Sequence, residues 1–110
     1  MVKTEDNILF FNDLEIYKFD YPIRQVIIID EVIICRIEPT IGKIMNENVF
    51  GISKSGEKLW QIEKMKYIYK DSPFINIYKE NKKLILNNWD GLNLVVNYKN
   101  GFIEKKEYSR

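Results

Sequence analysis

The chain contains no histidine. That removes the side chain that titrates nearest neutral pH, the commonest metal-binding imidazole, and every Ser-His or Cys-His catalytic pair. It contains one cysteine, Cys35. No disulfide can form within the chain, so a secreted disulfide framework is excluded. One cysteine without histidine also leaves no ligand set for a zinc site. No apolar run approaches the roughly 18 residues that cross a bilayer as a helix. The start, MVKTEDNILFF, carries Glu5 and Asp6 ahead of a very short apolar run. A signal peptide opens instead on basic residues followed by a longer apolar stretch. The expectation is a cytoplasmic protein with no membrane partner. Neither a GxGxxG nor a Walker-type phosphate loop occurs.

What remains is a chain of 110 residues, 45% hydrophobic and 14% aromatic, which suits a single folded domain over residues 1–110. The aromatics and the Ile/Val runs favour pleated, half-buried surfaces. Pro22, Pro39 and Pro73 fall between apolar runs, and most glycines stand at turn positions. The sequence predicts strands over 14–19, 25–29, 32–38, 48–53, 57–63, 74–79, 83–89, 92–97 and 102–108. The separators include Asp30-Glu31, Lys54-Ser55-Gly56, Glu80-Asn81-Lys82 and Tyr98-Lys99-Asn100-Gly101. Turn signals recur about every ten residues, as in a sandwich, barrel or propeller-like sheet. The expected fold is all-β: an antiparallel meander of eight or nine short strands in a curved or two-layer sheet. One short helix has room near the N-terminus or around Lys64–Tyr69, although no clean 3.6-residue stripe supports it.

Few residues are left to carry chemistry. Cys35 lies in VIICRIE, an alternating or fully buried strand, and reads as a core residue rather than an activated thiolate. Asp30 and Glu31 are adjacent, and Asp71 and Asp90 border turn formers. All four read as turn acids rather than as carboxylates paired across a cleft. No catalytic residue, metal or cofactor is therefore expected. In KMKYIYKDSPFINIYKE, Tyr67, Tyr69 and Tyr78 alternate with lysines that include Lys66 and Lys70. That interleaving suits single-stranded nucleic acid, with bases on rings and lysines on phosphates. It equally suits a half-buried strand with its lysines turned outward. Trp89 precedes a turn, where tryptophan either caps a β core or anchors an interface.

The hairpin NVFGISKSGEKLWQIE, residues 48–63, resembles the blade hairpin of quinoprotein-type β-propellers. Those repeats place a small residue, an acid, a glycine turn and a tryptophan on the return strand. Here the positions hold Gly51, Ser53, Gly56 and Trp60. A second copy gives Val96, Asn97 and Gly101 without the tryptophan. The resemblance implies a hairpin with a packed Trp60; it carries over neither quinone binding nor dehydrogenase activity. The whole chain is similar to small bacterial all-β proteins sharing N-V-(F/Y)-G-I…G…L-W-Q-I-E and then N-W-D-G. In style these are akin to immunity proteins that accompany bacterial toxins.

Net charge is +1, but residues 1–48 hold nine acids and five bases, and residues 49–110 hold twelve bases and seven acids. The split of −4 against +5 is a candidate electrostatic footprint. The expected function is a non-catalytic protein-binding module, in its sharpest form an immunity protein that occludes a basic toxin domain. Its partner-binding residues would be Asp13, Glu15, Asp20, Asp30, Glu31 and Trp89. The alternatives are a single-stranded nucleic-acid binder using Tyr67, Tyr69, Tyr78, Lys66 and Lys70, and a self-associating structural module.

Overall fold

The computed structural model describes residues 1–67 and 69–108. They form eleven strands in three antiparallel sheets, each a meander taken in chain order. The first sheet holds β1 (Val2–Glu5), β2 (Ile8–Phe11) and β3 (Leu14–Lys18). The second holds β4 (Ile23–Ile29), β5 (Val32–Ile37), β6 (Val49–Ser53) and β7 (Lys58–Gln61). The third holds β8 (Phe74–Glu80), β9 (Lys83–Asn88), β10 (Leu92–Val96) and β11 (Ile103–Tyr108). Among the described residues no helix is long and apolar enough to cross a membrane.

The nine expected strands all form, within one or two residues of their expected ends. The count of eight or nine is too low because β1 and β2 add to it. Their turn, at Asp6-Asn7, has neither glycine nor proline. Asp6 itself takes a left-handed φ of 54°, and Asn12 and Asp13 do the same in the next turn at 52° and 66°. Asp and Asn tolerate that region better than other side chains with a Cβ. The short helix for which the sequence left room around Lys64–Tyr69 does not form over residues 64–67; Ile68 lies outside the described residues. The N-terminal segment is strand, not helix.

The two-layer expectation gives way to three layers because the second sheet is apolar on both faces. Along β5 every residue is buried. Val32 and Ile34 pack into a core shared with Leu84, Leu86, Leu92 and Leu94 of the third sheet. Ile33, Cys35 and Ile37 point the other way, into a core shared with Leu9 and Phe19. Alternate side chains of one strand thus feed two cores, which is what a continuous apolar run signifies in a strand.

Two devices join the second and third sheets. The Trp60 indole is buried, and its Nε1 donates a 2.7 Å hydrogen bond to the Tyr98 carbonyl in the β10–β11 turn. The ring lies over Gly51, its cross-strand partner, and against Gly101. The other device is a pair of carboxamides docked along the outer edge of β8. Asn48 accepts from the Phe74 N–H at 2.9 Å and donates to the Phe74 carbonyl at 2.9 Å. Gln25 accepts from the Ile77 N–H at 2.9 Å. A sheet edge that would otherwise bury unpaired backbone groups is satisfied by side chains. No buried side-chain polar atom of the described residues lacks a partner.

Candidate functional site

The meanders give the molecule two ends. One carries the tight turns after β2, β4, β6, β8 and β10. The other carries the long connections 38–48 and 62–73 and the turn at 89–91.

The turn end is charged and internally matched. Asp30 receives the Tyr98 hydroxyl and pairs with Lys82 at 3.2 Å. The Tyr98 hydrogen bond and then Lys82 hold its carboxyl below the usual value. Glu31 pairs with Lys54 at 3.4 Å, and Asp13 with Lys3 at 3.3 Å. Three of the five acids expected to meet a basic partner are thus already matched by lysines. Glu15 is exposed on β3, and Asp20 is exposed at the other end. The structure does not bring the five into one acidic face.

The loop end is apolar, and its loops are tied down by carboxamides. Asn46 donates to the Lys70 carbonyl and accepts from the Ser72 N–H, both at 2.8 Å. Asn88 is buried and donates to the Ser72 carbonyl at 2.7 Å. Gln61 donates to the Glu47 carbonyl at 2.9 Å. The Trp89 N–H bonds to the Pro73 carbonyl at 2.9 Å. On this frame large apolar side chains stay exposed: Trp89 at 62%, Tyr69 at 59%, Ile44 at 55%, Ile75 at 49%, and Ile41 fully. Ile44, Pro73 and Ile75 line a concavity of about 230 Å³. Beside it lies a wider cleft of about 530 Å³, lined in part by Ile44, Tyr67, Tyr69 and Lys70. Trp89 is therefore not a cap on the core. It sits in a tight turn with its ring in solvent.

The aromatic-lysine set is split. Tyr67 and Tyr69 share the wide cleft with Lys64 and Lys70, but Glu47 and Asp71 line it too. The Tyr67 hydroxyl donates to Glu47 Oε2 at 2.5 Å, and burial together with that bond pushes its pKa up. Lys66 is exposed on the same connection. Tyr78 lies apart, on the outer face of the third sheet beside Ile85. Sequence reasoning missed Ile41, Ile44 and Ile75. A signal existed for the first two: isolated isoleucines in a polar, glycine-bearing connection have no strand partner to cover them.

Cys35 is buried in the core, as expected. Burial pushes its thiol from the usual 9.0 up to about 12. The unfolded thiol ionises near 9, so the stability contributed by the neutral buried group is intact below pH 9. It is lost as pH climbs toward 12, at about 1.4 kcal/mol per unit from this group. Tyr67 adds to the loss in the same direction. Urea unfolding at about pH 8 and about pH 10.5 should show the decline, and Cys35→Ala should flatten it. An alkaline slope unchanged by the substitution would assign the loss to other groups. Asp90 accepts the Leu92 N–H at 3.1 Å, a turn role. Among the described residues no cluster of three or more His, Cys, Asp or Glu side chains is placed to hold a metal ion.

Three stacked antiparallel meanders define the class: a small all-β domain with exposed apolar and aromatic side chains at its loop end. The chain belongs to the family described as a domain of unknown function (DUF7957), whose model matches residues 1–108. No curated protein and no solved structure matches it.

Proposed function

We propose that the chain is a non-catalytic protein-binding module whose docking surface is the loop end centred on Trp89. The supporting observation is the exposed set of Trp89, Tyr69 and Ile44 on loops fixed by hydrogen bonds, with Ile75 exposed at the start of β8. Large exposed apolar groups on an ordered frame lose little conformational entropy on binding, and tryptophan and tyrosine are enriched among interface hot spots. The occupant is a protein that offers an apolar patch of its own. The sharpest form of this reading is an immunity-type protein that blocks a bacterial toxin domain sterically. Of the acids proposed to steer such a partner, Asp20 is the one at this end.

Single-stranded nucleic acid is the second reading, supported by Tyr67, Tyr69 and Lys70 in one cleft. Glu47 and Asp71 beside them would repel phosphates, which favours the protein partner.

The test is affinity capture from the native host, identification by mass spectrometry, and titration of the captured partner against Trp89→Ala. The variant should bind about 30-fold more weakly or worse, the loss typical of a hot-spot tryptophan. Its urea midpoint should hardly move, because the ring is exposed. A partner that binds Trp89→Ala and Ile44→Asp as tightly as the parent would remove the loop end from the interface. Tight binding of a single-stranded oligonucleotide, lost in Tyr69→Ala, would select the second reading.

A further inference from the structure

The turn between β10 and β11 holds Asn100-Gly101, the one place in the chain where glycine follows asparagine. Glycine has no Cβ to shield its amide nitrogen, so that nitrogen can reach the carboxamide of the asparagine before it. In the reaction this permits, the Gly101 nitrogen gives up its proton and bonds to Asn100 Cγ. The Cγ–Nδ2 bond breaks, and Nδ2 leaves as ammonia with that proton. The product is a five-membered succinimide. Water then adds to one of its two carbonyl carbons and breaks the bond from that carbon to the ring nitrogen. Opening at Cγ leaves an aspartate. Opening at the main-chain carbon leaves an isoaspartate, whose backbone runs through Cβ and Cγ and is one carbon longer. Water is the co-reactant, and nothing is oxidised or reduced.

The folded turn is held against this reaction. Asn100 is exposed, but Gly101 is buried. The Gly101 N–H donates to the Asn97 carbonyl at 2.7 Å, so the attacking nitrogen is engaged. Asn100 Oδ1 accepts from the Phe102 N–H at 2.9 Å, which fixes the carboxamide toward residue 102. Trp60 lies so close to Gly101 that a Cβ there would stand 2.8 Å from the ring. Closing the succinimide turns the peptide plane between residues 100 and 101, and that motion breaks the Asn97 hydrogen bond and the Trp60 contact together. Unfolding removes all three restraints at once.

The position of the turn decides what the product does. Trp60 Nε1 reaches the Tyr98 carbonyl, two residues before Asn100, and the ring covers Gly101, one residue after it. A backbone carbon added between those two points displaces one contact or the other.

We propose that Asn100-Gly101 is a site of spontaneous deamidation that the fold keeps closed and unfolding opens, and that its isoaspartyl product cannot rebuild the Trp60 junction. A chain that stays unfolded is thereby marked and withdrawn from refolding, a chemical route to irreversible unfolding. The site lies at the turn end and is independent of the docking surface at the loop end.

The test incubates the parent in mildly alkaline buffer with reductant, once folded and once denatured in guanidinium chloride. The mass of tryptic peptide 100–105 reports deamidation, and methylation by an isoaspartyl methyltransferase reports the isoaspartate. The denatured chain should convert, and the folded chain should convert about tenfold more slowly or less, because the turn must first open. Denatured chains returned to buffer at intervals should refold in a fraction that falls as the isoaspartate rises. Asn100→Ser is the control. Its hydroxyl can still accept from the Phe102 N–H, as serine does in turns, but it has no carboxamide to lose. This variant should keep the parent urea midpoint and refold fully after the same treatment. Equal conversion rates in the folded and denatured parent would overturn the proposal. So would isoaspartyl chains that refold with the parent midpoint, or an equal loss of refolding in Asn100→Ser.

Discussion

Trp60→Ala should lower the free energy of unfolding by about 3–5 kcal/mol, the range for deleting a large buried aromatic. The indole fills the space between Gly51 on its own hairpin and Gly101 in the β10–β11 turn. Its removal opens a cavity at the junction of the second and third sheets and leaves the Tyr98 carbonyl without its 2.7 Å donor. The glycines give an internal control. A Cβ on Gly51 would stand 2.2 Å from Trp60 Nε1, closer than any real contact. Gly51→Ala should therefore be strongly destabilising in the parent and nearly neutral in the Trp60→Ala background. Two residues in contact are expected to be non-additive in this way. Gly101→Ala should be costly in both backgrounds, because its φ of 78° strains any side chain whatever the space. Urea midpoints of the variants measure all of this. Additive losses for Gly51 and Trp60 would mean that the ring does not rest on Gly51.

That junction shows how much of the fold was legible. The hairpin 48–63 announced itself through Gly56 and alternating apolar residues, and it forms with Gly56 at φ 92°. The strands from β3 to β10 were legible for the same reason, as runs carrying apolar residues between turn formers, and the charged β11 was legible from the Asn100-Gly101 turn before it. The first two strands were not, because Asp6, Asn12 and Asp13 turn the chain without glycine or proline. The layering was half legible. An all-apolar β5 says that both faces are covered, but no single strand says by what. That the first twenty residues supply the cover depends on register, and register is a property of pairs of strands.

The site was legible residue by residue but not as an arrangement. Trp89 was singled out for its place before a turn, as a cap on the core or as an interface anchor, and its 62% exposure removes the first of these. Asp13, Asp30 and Glu31 were singled out for their charge, yet Lys3, Lys82 and Lys54 stand beside them, the last two more than twenty residues away along the chain. A charge count along the sequence cannot see such pairs. It could see the imbalance between the two halves of the chain, but by register the outward residues of the first sheet, Lys3, Glu5, Glu15 and Lys18, balance one another.

Asn48→Ala should approach the loss seen at Trp60 while removing only a carboxamide. Asn48 is fully buried, and its amide serves three backbone groups: the Ile37 carbonyl at 3.0 Å, the Phe74 carbonyl at 2.9 Å and the Phe74 N–H at 2.9 Å. Each buried group left without a partner costs about 1–3 kcal/mol, so the substitution should cost about 3 kcal/mol or more. Asn48→Leu replaces volume without restoring a hydrogen bond and should be no better. Asn48→Asp separates hydrogen bonding from packing, because its shape is almost unchanged. As a carboxylate it can still accept from Phe74, but it cannot donate to either carbonyl, and burial disfavours its charge. Its folded-state pKa should therefore rise above the unfolded value. The variant's stability is then retained below the unfolded carboxyl pKa and is lost as pH rises through the folded one. Urea unfolding across the acid range should show Asn48→Asp closest to the parent at low pH and falling away toward neutrality. A variant that tracks the parent at every pH would mean that water can replace the amide, and that Asn48 does not hold the edge of β8.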